Sequence, residues 1–176
     1  KILDLNVKDG EVQTVCVNMG SPELVPKNIP IDSNLDRFIS EDVEVDGKVY
    51  KVTGVSMGNP HAVTFIDDTD SLQIEKIGPK FETHKLFPKK INTEFAQIVD
   101  RNTVKMRVWE RGAGETLACG TGACATMVAA NLNGLVDDEA DLVLLGGTLH
   151  IKWDKNENKV YMTGPAKFVF DGTITL

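Results

Sequence analysis

Along most of the chain apolar and polar residues alternate in short runs, the period-two pattern of strands with one face buried. The runs are separated by turn residues. ILDLNV and EVQTVCVNM flank Lys8-Asp9-Gly10, and VEV and KVYKVTGVSM flank Asp46-Gly47. Asp-Gly is a strong hairpin signal, because glycine accepts positive φ without steric cost. TEFAQIV and TVKMRVW meet across Asp100-Arg101-Asn102, ADLVLL and TLHIKW across Gly146-Gly147, and KVYMTG follows the polar turn DKNEN. Connections this short predict antiparallel strands, since parallel ones need long crossovers.

Two segments break the alternation. One runs from Leu72 to Ile77, with Asp70 or Ser71 as N-cap; Gly78-Pro79 is expected to end it and start a turn towards His84. The other, Thr121 to Leu132, is rich in Ala and Met and stops at Asn133-Gly134. It is apolar on nearly every side and therefore requires burial on every side. The expected fold is α+β: an antiparallel, barrel-like sheet wrapped around one central helix, with Cys119 at that helix's N-terminus.

Bulk properties narrow the function classes. A chain of 176 residues holds one good core or two small lobes. It is 41% apolar and 26% charged, and has no apolar run of membrane-spanning length. A net charge of −7 without a basic block argues against nucleic acid and for small polar or zwitterionic partners. Three cysteines, with no CxxC pair among them, suit a reducing compartment and free thiols. Lys1 opens directly into ILDLNV, so the chain is expected to be a piece of something longer.

The richest chemistry lies in ERGAGETLACGTGACATMVAA, residues 110–130. Helix N-termini carry unpaired N–H groups and a partial positive charge, and both stabilise anions. A cysteine there is expected to have a lowered pKa, between ~3.5 and ~7.5. The amides of Gly120, Thr121 and Gly122 could equally hold a carboxylate or phosphate oxygen. No Lys follows the glycines, so this is not a Walker A loop. GVSMGNPHAVTF adds Asn59 and His61 at a turn between two apolar strands, where the imidazole could orient a thiol or carboxylate. FPKKINTEF presents Asn92 just before a strand. Asn59 alone would be ordinary turn chemistry. Cys124 and Cys16 are expected to be structural, and His84 and His150 lack partners at metal-ligand spacing.

Taken together, GVSMGNPHAV, FPKKINTEFAQ and VWERGAGETLACGTGACAT resemble the diaminopimelate epimerase family, whose members are cofactor-independent amino-acid epimerases of lysine biosynthesis. The resemblance extends over the whole chain but corresponds only to the C-terminal half of the family and a little more. The family's N-terminal block, with its own Cys-Gly-Asn-Gly motif, has no counterpart here. Family members have two similar lobes around a substrate cleft, each contributing one cysteine to opposite faces of the reacting carbon. One thiolate removes the α-proton, and the opposing thiol delivers a proton to the other face.

The resemblance implies that Cys119 is one acid/base, with His61 and Glu110 as orienting and tuning partners. It further implies that Gly120 and Thr121 hold the reacting carboxylate, while Asn59, Asn92, Glu110 and Arg111 bind the rest of the substrate. No metal and no cofactor are implied, and the biosynthetic pathway implies a cytoplasmic location. On this basis residues 1–19 form a hairpin belonging to the missing N-terminal lobe, 20–164 the C-terminal catalytic lobe, and 165–176 a return strand. The missing lobe is the implied partner, a homodimer is a second expected partner, and the chain by itself would be an inactive half. The alternatives are a proline or hydroxyproline racemase lobe and a non-catalytic amino-acid-binding module.

Overall fold

The computed structural model describes residues 3–175. Lys1, Ile2 and Leu176, which belong to the expected opening hairpin and closing return strand, lie outside the described residues. Asp9 and Gly10 take φ of 54° and 81°, the mirror-image turn that matches strand twist. They join β1 (Leu3–Lys8) to β2 (Glu11–Gly20). Asp46 and Gly47, at 57° and 76°, do the same between β3 (Glu41–Val45) and β4 (Lys48–Ser56). The other expected hairpins also form: β6 (Asn92–Asp100) with β7 (Thr103–Glu110), and β9 (Glu139–Leu144) with β10 (Gly147–Asp154). In turn, β10 pairs with β11 (Lys159–Pro165).

Two pairings are parallel, which corrects the purely antiparallel expectation. β5 (Pro60–Phe65) runs parallel to β6, and β7 runs parallel to β9. Each parallel pair is bridged by one of the two helices: α1 (Ile74–Glu82) lies between β5 and β6, and α2 (Gly120–Leu132) lies between β7 and β9, after the short β8 (Gly114–Thr116). These are crossovers of the length that parallel strands need.

The strand order is β1-β2-β11-β10-β9-β7-β6-β5-β4-β3, with β8 pairing β7 off this path. Its ends, β1 and β3, are not neighbours, so the sheet is mixed and open and the closed-barrel expectation is corrected as well. It nevertheless curls round α2, which touches β4, β5, β6, β9, β10 and β11. Both crossovers step the same way along the sheet, but β5 and β7 point in opposite directions. Right-handed connections then require the helices to lie on opposite faces.

Two cores follow. α2, buried from Gly122 to Ala130, packs with Val55, Val63, Ala96, Met106 and Val108. Ile74 and Phe81 of α1 pack on the other face with Ala62, Phe95 and the loop residues Ile29, Ile31 and Phe38. Residues 166–175 carry no regular structure, and Ala166 N–H donates to Gln13 O at 3.4 Å.

The first helix departs from its expected bounds. Its N-cap is Gln73 rather than Asp70 or Ser71, and it runs through Gly78-Pro79 to Glu82. Tertiary packing explains the override. At Gly78 the helix crosses the Trp109 ring so closely that a Cβ would lie 2.4 Å from Cδ2. The second helix begins one residue earlier than expected, with Cys119 as N-cap, and ends at Leu132 as expected, with Asn133 as C-cap before Gly134 at φ 71°.

Gly78→Ala should therefore destabilise the fold by roughly 1–3 kcal/mol through overpacking, against the gain an exposed helical glycine would show. Chemical denaturation of the variant checks the sign.

Candidate functional site

The topology gathers the polar residues at one end of the sheet. β5 and β6 start at the end where β7 finishes, and α2 starts at that end because a crossover helix runs back against the strand preceding it. His61 opens β5, Asn92 and Glu94 open β6, and Glu110 closes β7. Cys119 caps α2 beside them. Side chains alternate across a strand, so His61 and Glu94 share the α2 face with Val63 and Ala96.

Cys119 is 7% exposed. Its Sγ accepts from the Gly122 N–H at 3.4 Å and lies 3.5 Å from Thr121 Oγ1. Gly120 and Thr121 are partly exposed at the helix start, where the first amides have no partner within the helix. The expected lowering of the Cys119 pKa is corrected. Burial raises it from 9.0 to about 11, and the Glu94 and Glu110 charges push the same way. The bonds from Thr121 and Gly122 oppose this without prevailing.

His61 is fully buried. Its Nδ1 lies 2.6 Å from Glu94 Oε1 and its Nε2 lies 3.1 Å from Asn59 Oδ1. Glu94 is also fully buried, and its Oε2 has no hydrogen-bond partner. It is absent from the residues that the sequence singles out. The available signal was its parity: in NTEFAQIV it falls on the face shared by Ala96 and Ile98, where an acid is out of place. A Cβ at Gly122 would stand 2.7 Å from Glu94 Oε1, so the glycine makes room for this carboxylate.

Asn92 fastens two loops. Its Nδ2 donates to Pro60 O at 3.0 Å, and its Oδ1 accepts from the Arg111 N–H at 2.9 Å. Arg111 itself is exposed, and its Nη1 donates to Lys89 O at 3.0 Å. Glu110 Oε1 accepts from Thr116 Oγ1 at 2.6 Å. Glu82, another acid outside the expected set, binds Lys90 Nζ, Trp109 Nε1 and the Gly112 N–H, and so anchors the turn that carries Arg111. Those donors hold its carboxyl below the usual range, the Lys90 bond most of all.

Cys124 is buried within α2 and Cys16 is half-buried on β2. His84 and His150 contact Glu44 O and Asp141 respectively. Among the described residues no group of three His, Cys, Asp or Glu side chains is placed to hold a metal ion, and no helix is long and apolar enough to cross a membrane.

Residues 53–169 match the sequence model of the family described as diaminopimelate epimerase. The chain belongs to the diaminopimelate epimerase family. It is similar to the diaminopimelate epimerase of Acetivibrio thermocellus, 58% identical over 176 residues, which cover all of this chain and 63% of that protein. The diaminopimelate epimerase of Desulfovibrio desulfuricans is 52% identical over 178 residues, covering 98% of this chain and 62% of its own length. The chain thus spans less than two thirds of these relatives. Its fold resembles a crystal structure of a hydroxyproline epimerase from Agrobacterium vitis, with a TM-score of 0.65, 12% identity, and coverage of 93% of this chain and 52% of that one. It also resembles a phenazine biosynthesis protein from Bacillus anthracis, with a TM-score of 0.53, 13% identity, and coverage of 94% and 62%.

Two outcomes are expected of this member of the diaminopimelate epimerase family. With a pKa of about 11, only roughly one Cys119 thiol in a thousand is ionised at pH 8. Alkylation of Cys119 in this chain, followed by mass spectrometry, should be slow there and accelerate through pH 10; a plateau below pH 8 would contradict it. Glu82 has a folded pKa below 4.5, so it stabilises the fold above that pH and ceases to do so as pH falls through the folded value. Glu82→Gln should cost roughly 1.5–3 kcal/mol at pH 7, and the gap from the unsubstituted protein should narrow in melts as the pH is lowered and the carboxyl takes up its proton.

Proposed function

We propose that the full-length protein interconverts LL- and meso-diaminopimelate by a two-thiol acid/base reaction, with Cys119 serving one face of the α-carbon. The carrying observation is the thiol that caps α2, directly beside the amides of Gly120 and Thr121, in a chain of this family. In the raised-pKa state Cys119 is a thiol, the form that donates a proton. An opposing thiolate would remove the α-proton from the other face while Cys119 delivers its own; in the reverse direction the roles exchange. The opposing thiol is assigned to the part of the relatives' length that this chain does not span.

As negative charge grows on the α-carbon and its carboxylate, the α2 N-terminus stabilises it without an electron-sink cofactor. Gly120 and Thr121 are the carboxylate's donors in this reading. Glu110, tied to Thr116, and His61 would orient and tune the site. Asn59 and Arg111 would bind the distal amino-acid end, where the planar guanidinium fork suits a carboxylate. Asn92 would support them with the amide hydrogen it keeps after Pro60 is satisfied. Residues 165–176 are assigned to contacts with the absent lobe, as is the β1–β2 hairpin. The protein would act in lysine biosynthesis in the cytoplasm. Likeness at 12% identity to the hydroxyproline epimerase concerns the fold alone and does not favour a proline substrate.

The deciding experiment follows solvent deuterium into LL-diaminopimelate, and formation of the meso isomer, with this chain alone and with the full-length protein. The full-length protein should do both and the chain neither. Cys119→Ala in the full-length protein should lower kcat by roughly 100- to 10,000-fold. Full inversion by the chain alone would refute the two-part site, and a full-length protein that binds diaminopimelate without exchange would instead be a binding module.

A further inference from the structure

Among the described residues, His61 and Glu94 form a hydrogen-bonded imidazole–carboxyl pair whose two side chains are both completely inaccessible. Such a pair is a poor route to stability, because desolvation offsets much of the attraction. Here the penalty is compounded, since Oε2 of the same carboxylate has no hydrogen-bond partner. A neutral amide would fill the space and an apolar side chain would remove the orphaned atom, yet an acid stands there. A glycine at position 122 leaves room for its other oxygen. A group kept in the core at a cost to the fold is explained by what it does to its neighbour.

That neighbour is the imidazole. Because Oε1 lies 2.6 Å from Nδ1, the ring is held with Nε2 turned to Asn59, whose amide oxygen is 3.1 Å away. The two nitrogens of a histidine are distinct: a carboxylate at Nδ1 calls for a proton there, and the Asn59 amide turns its oxygen or its NH2 to Nε2 according to the proton on that nitrogen. Glu94 is also near enough to Cys119 for its charge to be felt at the thiol, as is Glu110 on β7.

We propose that Glu94 is a positioning residue of the Cys119 site: its buried carboxylate holds a proton on His61 Nδ1 and fixes the ring edge that Nε2 and Asn59 present at the start of α2. This role rests on the epimerase reading of the site. Glu94 touches no substrate; it acts through His61, and glycine at 122 is part of the same arrangement.

The test has two arms on the full-length protein. In the unsubstituted protein, nitrogen-15 NMR of the histidine rings should show Nδ1 of His61 protonated, with a strongly deshielded proton shared towards the carboxylate. An Nδ1 without a proton overturns the proposal, and this arm needs neither a variant nor turnover. In the second arm Glu94→Gln should lower kcat roughly 10- to 100-fold with little change in KM, displace the pH–rate profile and shift the His61 ring signals. Glu94→Asp, which keeps the charge, should restore the profile's shape at reduced kcat. A folded Glu94→Gln protein with unchanged pH–rate profile and ring signals overturns the proposal, as does Glu94→Asp behaving like Glu94→Gln. If Glu94→Gln does not fold, the NMR arm and Glu94→Asp decide. An inactive unsubstituted protein would refute the epimerase reading instead, leaving the NMR arm to decide whether Glu94 holds His61.

Discussion

An α-helix with no polar face has to be enclosed, and the enclosure of α2 governs the rest of this structure. From Gly122 to Ala130 every residue is buried, so strands from β4 round to β11 must reach the helix. The sheet curls to achieve this. The helix start is then set where β5 and β6 begin and β7 ends. His61, Asn92, Glu94 and Glu110 are distant in sequence, yet they converge on the N-terminus of α2 because the helix can be covered in no looser way.

Much of the fold was legible in the residues. The Asp9-Gly10 and Asp46-Gly47 turns adopt the positive φ angles that their composition requires, and α2 falls within one residue of its expected start. The parallel pairs were missed for a local reason. A short turn signals only the pairing of the two strands it joins, whereas a helix lying between two strands signals a crossover. The end of α1 is not legible locally, because Gly78-Pro79 is a stop signal in isolation and only the contact with Trp109 shows why the glycine is inside the helix.

The site was legible where its members, buried or exposed, stand in recognisable motifs, and obscure where they do not. Cys119, His61, Asn59, Asn92, Glu110 and Arg111 stand in glycine-rich or turn-rich motifs, where a polar residue attracts notice. Glu94 and Glu82 sit in elements whose pattern is otherwise explained by packing, and their partners come from elsewhere in the chain. The electrostatics at Cys119 were obscure for a related reason. A helix N-terminus is readable from sequence, but the degree of burial and two acids brought in by other strands are tertiary facts. Together they outweigh the helix start.

The pairing of β2 with β11 joins opposite ends of the sequence: Val17 faces Met162. A ribosome adding roughly 5–20 residues per second emits β2 many seconds before its partner strand exists. Throughout that interval the β2 edge lacks the strand that will cover it, while Leu3, Leu5 and Val7 on the other strand of the hairpin, β1, stay exposed even in the finished fold. Assembly of this sheet is thus completed late, when β11 docks on β2.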